Sequence, residues 1–134
     1  MDFSETIKPG LKAEKTLVVS EQHTASAVGS GGLPVFSTPS MIALMELTAL
    51  SAVQHLLPKG WSTVGAEINV NHLAATITGV KVRGEAELVE TDGRRLVFNV
   101  EAFDDTGKIG NGIHVRFVVE DDRFMKKALE RAQK

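Results

Sequence analysis

The stretch TPSMIALMELTALSAV, residues 38–53, is apolar on nearly every turn and contains one ionisable side chain, Glu46. A helix this greasy has no face to give to water, so the rest of the chain must wrap it. The residues after it can do so, because the pattern changes from helical to a period of two. In VKVRGEAEL, Val80, Val82, Gly84, Ala86 and Leu88 face one way, and Lys81, Arg83, Glu85 and Glu87 the other. RLVFNVEAF repeats the alternation, with Leu96, Phe98, Val100 and Ala102 on one side. The Asp-Gly pair of ETDGRR and the DDTGK segment are turn chemistry, and KIGNGIHVRFVVE and STVGAEINVNH read as further strands. With a short β-like run, KTLVV, ahead of the helix, the order is strand, helix, four strands. The expectation is an α+β fold: an antiparallel curved β-sheet, its last four strands a meander, wrapped around one long central α-helix. DDRFMKKALERAQK closes it as a polar C-terminal helix.

The helix start is marked by Thr38, expected as the N-cap, and Pro39, whose missing N–H costs nothing in the first turn. The helix is expected over residues 38–56, ended by LPKGW. Ahead of it, SEQHTASAVGSGGLP has no periodicity and reads as a flexible loop. Its VGSGG lacks the Gly-Lys-Ser/Thr ending of a phosphate cradle.

The 134 residues, 43% hydrophobic and 24% charged, suit one domain over residues 1–134 with a real core. Fifteen basic against 17 acidic side chains give a net charge of −2, which is no electrostatic reason to expect a nucleic-acid or anionic-membrane partner. The absence of cysteine removes disulfides, thiolate metal sites and a Cys nucleophile together. MDFSETIKPG lacks the basic-then-apolar pattern of a secretory leader, and no run reaches the roughly 20 apolar residues of a membrane span. A soluble cytoplasmic protein is expected.

Glu46 is the anomaly in the helix. Its neighbours at helical spacing, Ile42, Ala43, Ala49 and Leu50, are all apolar, and Thr48, Ser51, Gln54 and His55 do not join it in a polar stripe. A carboxylate kept among apolar groups needs a partner or a task. His72 repeats the puzzle on a strand, sharing a face with Ile68, Val70 and Ala74. A carboxylate and an imidazole on elements that pack together form the pair used in general acid–base chemistry. The Thr38 hydroxyl is accounted for by capping, although a helix N-terminus also offers amides and a positive dipole end to an oxyanion. Arg116 shares a strand face with Gly110, Gly112, His114 and Val118, where it binds an anion or pairs with a strand charge. His23, His55 and His114 have no metal-ligand spacing and read as structural or surface residues; no metal site is expected.

Three pieces carry a resemblance: the Thr-Pro helix start with Glu46 eight residues on, the VNHLA strand segment and the IGNGIHVR strand. Across residues 11–119 the chain resembles the fluoroacetyl-CoA thioesterase-like branch of the hotdog-fold thioesterases. The resemblance implies a catalytic set of Thr38, Glu46 and His72, with Gly65 and Arg116 near the acyl end of the substrate. Where the type enzyme of that branch carries an aromatic, proline-rich lid, this chain has ASAVGSGGLPVF, in which Phe36 is the nearby aromatic and is expected to contact the substrate. The expected activity is therefore hydrolysis of a small or medium acyl-CoA by a homodimer or higher oligomer. CoA arrives as part of the substrate, with no separate cofactor. The alternatives are a hotdog enoyl-thioester hydratase or dehydratase, and a non-catalytic acyl-CoA-binding module.

Overall fold

The computed structural model describes residues 2–133. Strand β1 spans Lys12–Val18 and is followed by a 3₁₀ turn, Glu21–His23, and one helical turn, α1, Ala25–Val28. The long helix α2 is Thr38–Val53, and a second 3₁₀ turn, Gln54–Leu56, extends it. Strands β2 (Trp61–His72), β3 (Lys81–Asp92), β4 (Arg95–Asp104) and β5 (Gly107–Glu120) lead into α3, Asp121–Ala132.

The five strands form one antiparallel sheet in the order β1-β3-β4-β5-β2. The expected meander therefore holds only for β3, β4 and β5, whose connections are tight enough for hairpins; the β3–β4 turn passes through Gly93 at φ 61°. Residues 73–80 are too many for a tight turn. They carry the chain away from β2, which pairs with the far side of β5 and leaves its other edge free.

Alternation decides which side of the sheet is buried. Val82, Leu88, Leu96, Phe98 and Val100 are buried, and they meet Met41, Leu44, Met45, Ala49 and Val53 of α2 in one core cluster. Thr48 is buried among them, and its hydroxyl is satisfied by donating to the Leu44 carbonyl at 2.7 Å. The helix lies close on β3 because Gly84 has no side chain: a Cβ there would come 2.7 Å from Thr48 Oγ1 and 3.0 Å from Leu44 Cγ.

The segment read as a flexible loop is built instead. Thr24 caps α1 by accepting from the Ala27 amide, Gly29 ends it at φ 81°, and bridges pair Thr24 with Phe36 and Val35 with Ile77. Small polar residues that look aperiodic in the sequence are here caps and turns. At the other end of the chain, α3 carries Asp121 and Asp122 in its first turn, complementing the helix dipole, and is exposed along its length.

Candidate active site

The start of α2 differs from expectation by one residue, and the difference frees a hydroxyl. Ser37, extended at φ −78° and ψ 152°, is the N-cap: its Oγ accepts from the Ser40 amide at 3.1 Å. Thr38 is therefore the first helical residue, and its Oγ1 lies 2.7 Å from Nδ1 of His72, the last residue of β2. In the first helical turn Pro39 has no amide hydrogen and Ser40's is taken. Among the described residues the Thr38 amide thus remains open beside its own hydroxyl.

His72 Nε2 is buried and has no hydrogen-bond partner among the described residues. Burial holds the imidazole below its ordinary value of 6.5, opposed by the nearby Ala74 backbone, so the ring is neutral at pH 7. Thr38 and His72 border a cavity of about 360 Å³, which Phe36, Ser37, Ala74 and Ala75 help to line. Phe36 itself is almost wholly buried and meets the His23 ring edge-on, so it supports the cavity floor more than it projects into it.

Glu46 sits differently from the sequence expectation. Its side chain is 43% exposed in the single chain, and it has a partner: Oε2 is 3.9 Å from Nη1 of Arg116, whose own side chain is 8% exposed. Arg116 does not pair with a strand charge. Its Nε donates to Thr63 Oγ1 at 2.8 Å, its Nη2 to the Thr63 carbonyl at 2.9 Å, and its Nη1 lies 3.1 Å from His114 Nε2. Burial disfavours the charge and Glu46 partly restores it; the guanidinium stays a cation at any working pH.

Gly65 makes this arrangement possible. It is paired with Arg116 across the β2–β5 ladder, and a Cβ there would lie 2.8 Å from Glu46 Oε2 and 3.3 Å from His114 Cε1. Only a residue without a side chain lets the carboxylate lie against the strand.

The single chain thus builds two clusters, Thr38 with His72 and Glu46 with Gly65, Arg116 and His114. Among the described residues no hydrogen bond or ion pair joins Glu46 to Thr38 or His72. The apolar strand face expected around His72 is also largely open here: Ile68 is 36% exposed and Ala74 is exposed. His114, read from sequence as structural or surface, is 1% exposed and holds Arg116. Its signal in the sequence was the shared face with Arg116 two residues on. Among the described residues no group of three His, Cys, Asp or Glu could hold a metal ion, and no helix is long and apolar enough to cross a membrane.

Comparison with known proteins gives the family and the fold. Residues 19–122 match the family model of FlK, the fluoroacetyl-CoA-specific thioesterase. The fluoroacetyl-CoA thioesterase of Streptantibioticus cattleyicolor is 38% identical over 97 residues, which cover 72% of this chain and 70% of that protein. A solved structure of the fluoroacetyl-CoA thioesterase FlK superposes with a TM-score of 0.87 at 32% identity, covering 92% of this chain and 96% of that one. A hot-dog-like protein from Thermanaerovibrio acidaminovorans gives 0.89 at 28% identity, covering 98% and 97%. The curved antiparallel sheet around a central helix is the hotdog fold, and the chain belongs to the family of the fluoroacetyl-CoA-specific thioesterase FlK.

Proposed function

We propose that this protein is an acyl-CoA thioesterase that hydrolyses a small or medium acyl-CoA to the free acid and CoA, and that it works as a homodimer in the cytoplasm. The observation that carries the reading is the 2.7 Å contact between Thr38 Oγ1 and His72 Nδ1 at the rim of a cavity. With the Thr38 hydroxyl donating to Nδ1, the ring proton sits on Nε2, the buried atom without a partner. That is the arrangement of a proton donor waiting for an acceptor.

Glu46 supplies the negative group. As a nucleophile it would attack the thioester carbonyl and expel the CoA thiolate, which takes the Nε2 proton of His72 as Nδ1 takes that of the Thr38 hydroxyl; water would then cleave the mixed anhydride, its hydroxyl going to the acyl group and its remaining proton restoring the Thr38–His72 pair. As a base it would deprotonate the attacking water directly. Either route uses water and acyl-CoA alone and needs no further cofactor. The Thr38 amide and the positive end of α2 would stabilise the oxyanion in both.

The distance between the clusters supports the dimer. Gly65 and His72 are seven residues apart on β2, roughly 23 Å along a strand at about 3.3 Å per residue. Glu46 lies at the first and Thr38 at the second. The midpoint of 65 and 72 falls between Ile68 and Asn69. Antiparallel pairing of the free β2 edge with that of a second copy about this point would set Gly65 of each chain opposite His72 of the partner subunit. Glu46 would then reach the Thr38 and His72 of the partner subunit. The exposed Leu47 (51%) and Ile68 would be covered. The other sheet edge, β1, carries Lys12, Glu14 and Lys15, charges of the kind that discourage strand pairing.

The test is free-thiol release from acyl-CoAs of graded length and polarity. Glu46→Gln should remove most hydrolysis, and His72→Ala should cost on the order of 10²–10⁴-fold. Equal turnover in wild type and Glu46→Gln would overturn the assignment. Loss of enoyl-CoA absorbance without thiol release would mark a hydratase, and tight binding without turnover a carrier.

A further inference from the structure

His114 takes no part in the thioester chemistry of Glu46, His72 and Thr38, yet it is among the most buried polar groups in the chain. Its two ring nitrogens have different tasks. Nδ1 lies 2.7 Å from the Glu67 carbonyl, an atom that can only accept, so the proton is on Nδ1. Nε2 then carries the lone pair, and Arg116 Nη1, which can only donate, approaches it at 3.1 Å. Both contacts are satisfied only by the neutral Nδ1–H tautomer.

Arg116 has five N–H groups, and this contact is the third that is fixed, after those to Oγ1 and the carbonyl of Thr63. The three together stop the guanidinium from swinging. Nη1 comes to rest 3.9 Å from Glu46 Oε2, beyond hydrogen-bond length. That spacing keeps the carboxylate near a positive charge without a hydrogen bond closing the pair, and a hydrogen-bonded pair would weaken Glu46 as nucleophile or base.

We propose that His114 is a positioning residue of the Glu46 site: its Nε2 holds Arg116 back from Glu46, so that the carboxylate oxygen stays open to react. The inference rests on the thioesterase reading in assigning Glu46 its chemical role, while the restraint on Arg116 is a matter of geometry alone. The groups facing the His114 ring are Arg116 on its own strand, Glu46 from α2, the Glu67 carbonyl from β2 and Phe98 from β4.

Two substitutions separate the ring's tasks. His114→Gln can place an amide oxygen near the position of Nε2, and His114→Asn can keep a donor near Nδ1 but has nothing at Nε2. In a crystal structure of His114→Asn, Arg116 Nη1 should close onto Glu46 to hydrogen-bond length, and in His114→Gln it should remain apart. On a thioester that the wild type turns over, His114→Asn should lower kcat about tenfold with little change in KM, and shift the acid limb of kcat to lower pH. His114→Gln should restore most of both. Arg116 unmoved in His114→Asn, or equal losses in both variants with an unshifted acid limb, would overturn the proposal. Should neither variant fold, nitrogen NMR of the wild-type histidines decides it: a neutral Nδ1–H ring at pH 7 is expected, and an Nε2–H or charged ring would refute it. Glu46→Gln is the control. Full turnover in that variant would sink the catalytic reading, whereas silent His114 variants beside an inactive Glu46→Gln would sink this proposal alone.

Discussion

Thr38 Oγ1 and His72 Nδ1 lie 2.7 Å apart, although 34 positions separate the two residues in the chain. The contact joins the first residue of the central helix to the last residue of an edge strand, so it exists only when the sheet is wrapped around the helix. Because Ser37 does the capping, the Thr38 hydroxyl can be removed without unmaking the helix. Thr38→Val should therefore reduce thiol release by one to two orders of magnitude, about the worth of a positioned proton-transfer partner, and leave the melting temperature within a few degrees of wild type. Thr38→Ser should retain most activity. The comparison is made by steady-state kinetics beside thermal melts.

Gly65 gives a steric test of where Glu46 must lie. A methyl group there would come 2.8 Å from Glu46 Oε2, so Gly65→Ala should displace the carboxylate and lower kcat at least tenfold. The backbone of Gly65 is not left-handed, so alanine brings no strain of its own and stability should change little. Kinetics and denaturant unfolding of the one variant separate the two effects.

Stability should depend on pH in one direction only through the two sheltered imidazoles. His114 is held below 6.5 by burial first and by Arg116, against the Glu67 carbonyl and Glu46, and His72 is held below it by burial. In the unfolded chain both rings take up protons near 6.5, while the folded protein resists. The unfolded state thus binds more protons as pH falls, and stability declines below about pH 6.5 toward the folded values, with no contribution above. Urea midpoints against pH should fall on the acid side, and His114→Gln should flatten part of that slope.

The core should behave as a single packed unit. Phe98 is fully buried, lies in the core cluster beneath α2 and stands 6.5 Å from the His114 ring between centroids. Phe98→Ala should cost about 3–5 kcal/mol, read from denaturant unfolding, and should loosen His114 as well.

Much of this architecture is legible in the chain before folding. The alternation of Val82, Ala86 and Leu88 and of Leu96, Phe98 and Val100 predicts the buried face of β3 and β4 correctly, because a strand's two faces follow from its period alone. Glu46 and His72 stand out for a related reason, each a titratable group among apolar neighbours. What the sequence hides depends on long-range pairing. The position of β2 beyond β5 is set by an eight-residue connection whose sequence does not say which strand edge it leads to, and the exchange of capping between Thr38 and Ser37 turns on the extended backbone of Ser37. The role of His114 is invisible until the Glu67 carbonyl and Arg116 are brought to its two nitrogens.

The exposed Leu47 and Ile68 beside a free strand edge lead to an expected oligomer. Light scattering should give a dimer for the wild type. Ile68→Glu should shift it toward monomer and lose thiol release in parallel, since each half-site would lack its complement. A fully active monomer would remove the need for a second copy.

Mixing two inactive variants tests most directly whether Glu46 acts with His72 of the partner subunit. Glu46→Gln and His72→Ala should each be nearly inactive alone; after co-refolding at equal amounts, half the dimers should be mixed, and each mixed dimer would hold one intact pair of groups and one doubly damaged pair. Thiol release should recover to about a quarter of the wild-type rate on this statistical count. No recovery, with mixed dimers demonstrated by mass spectrometry, would mean that the two groups work within one chain.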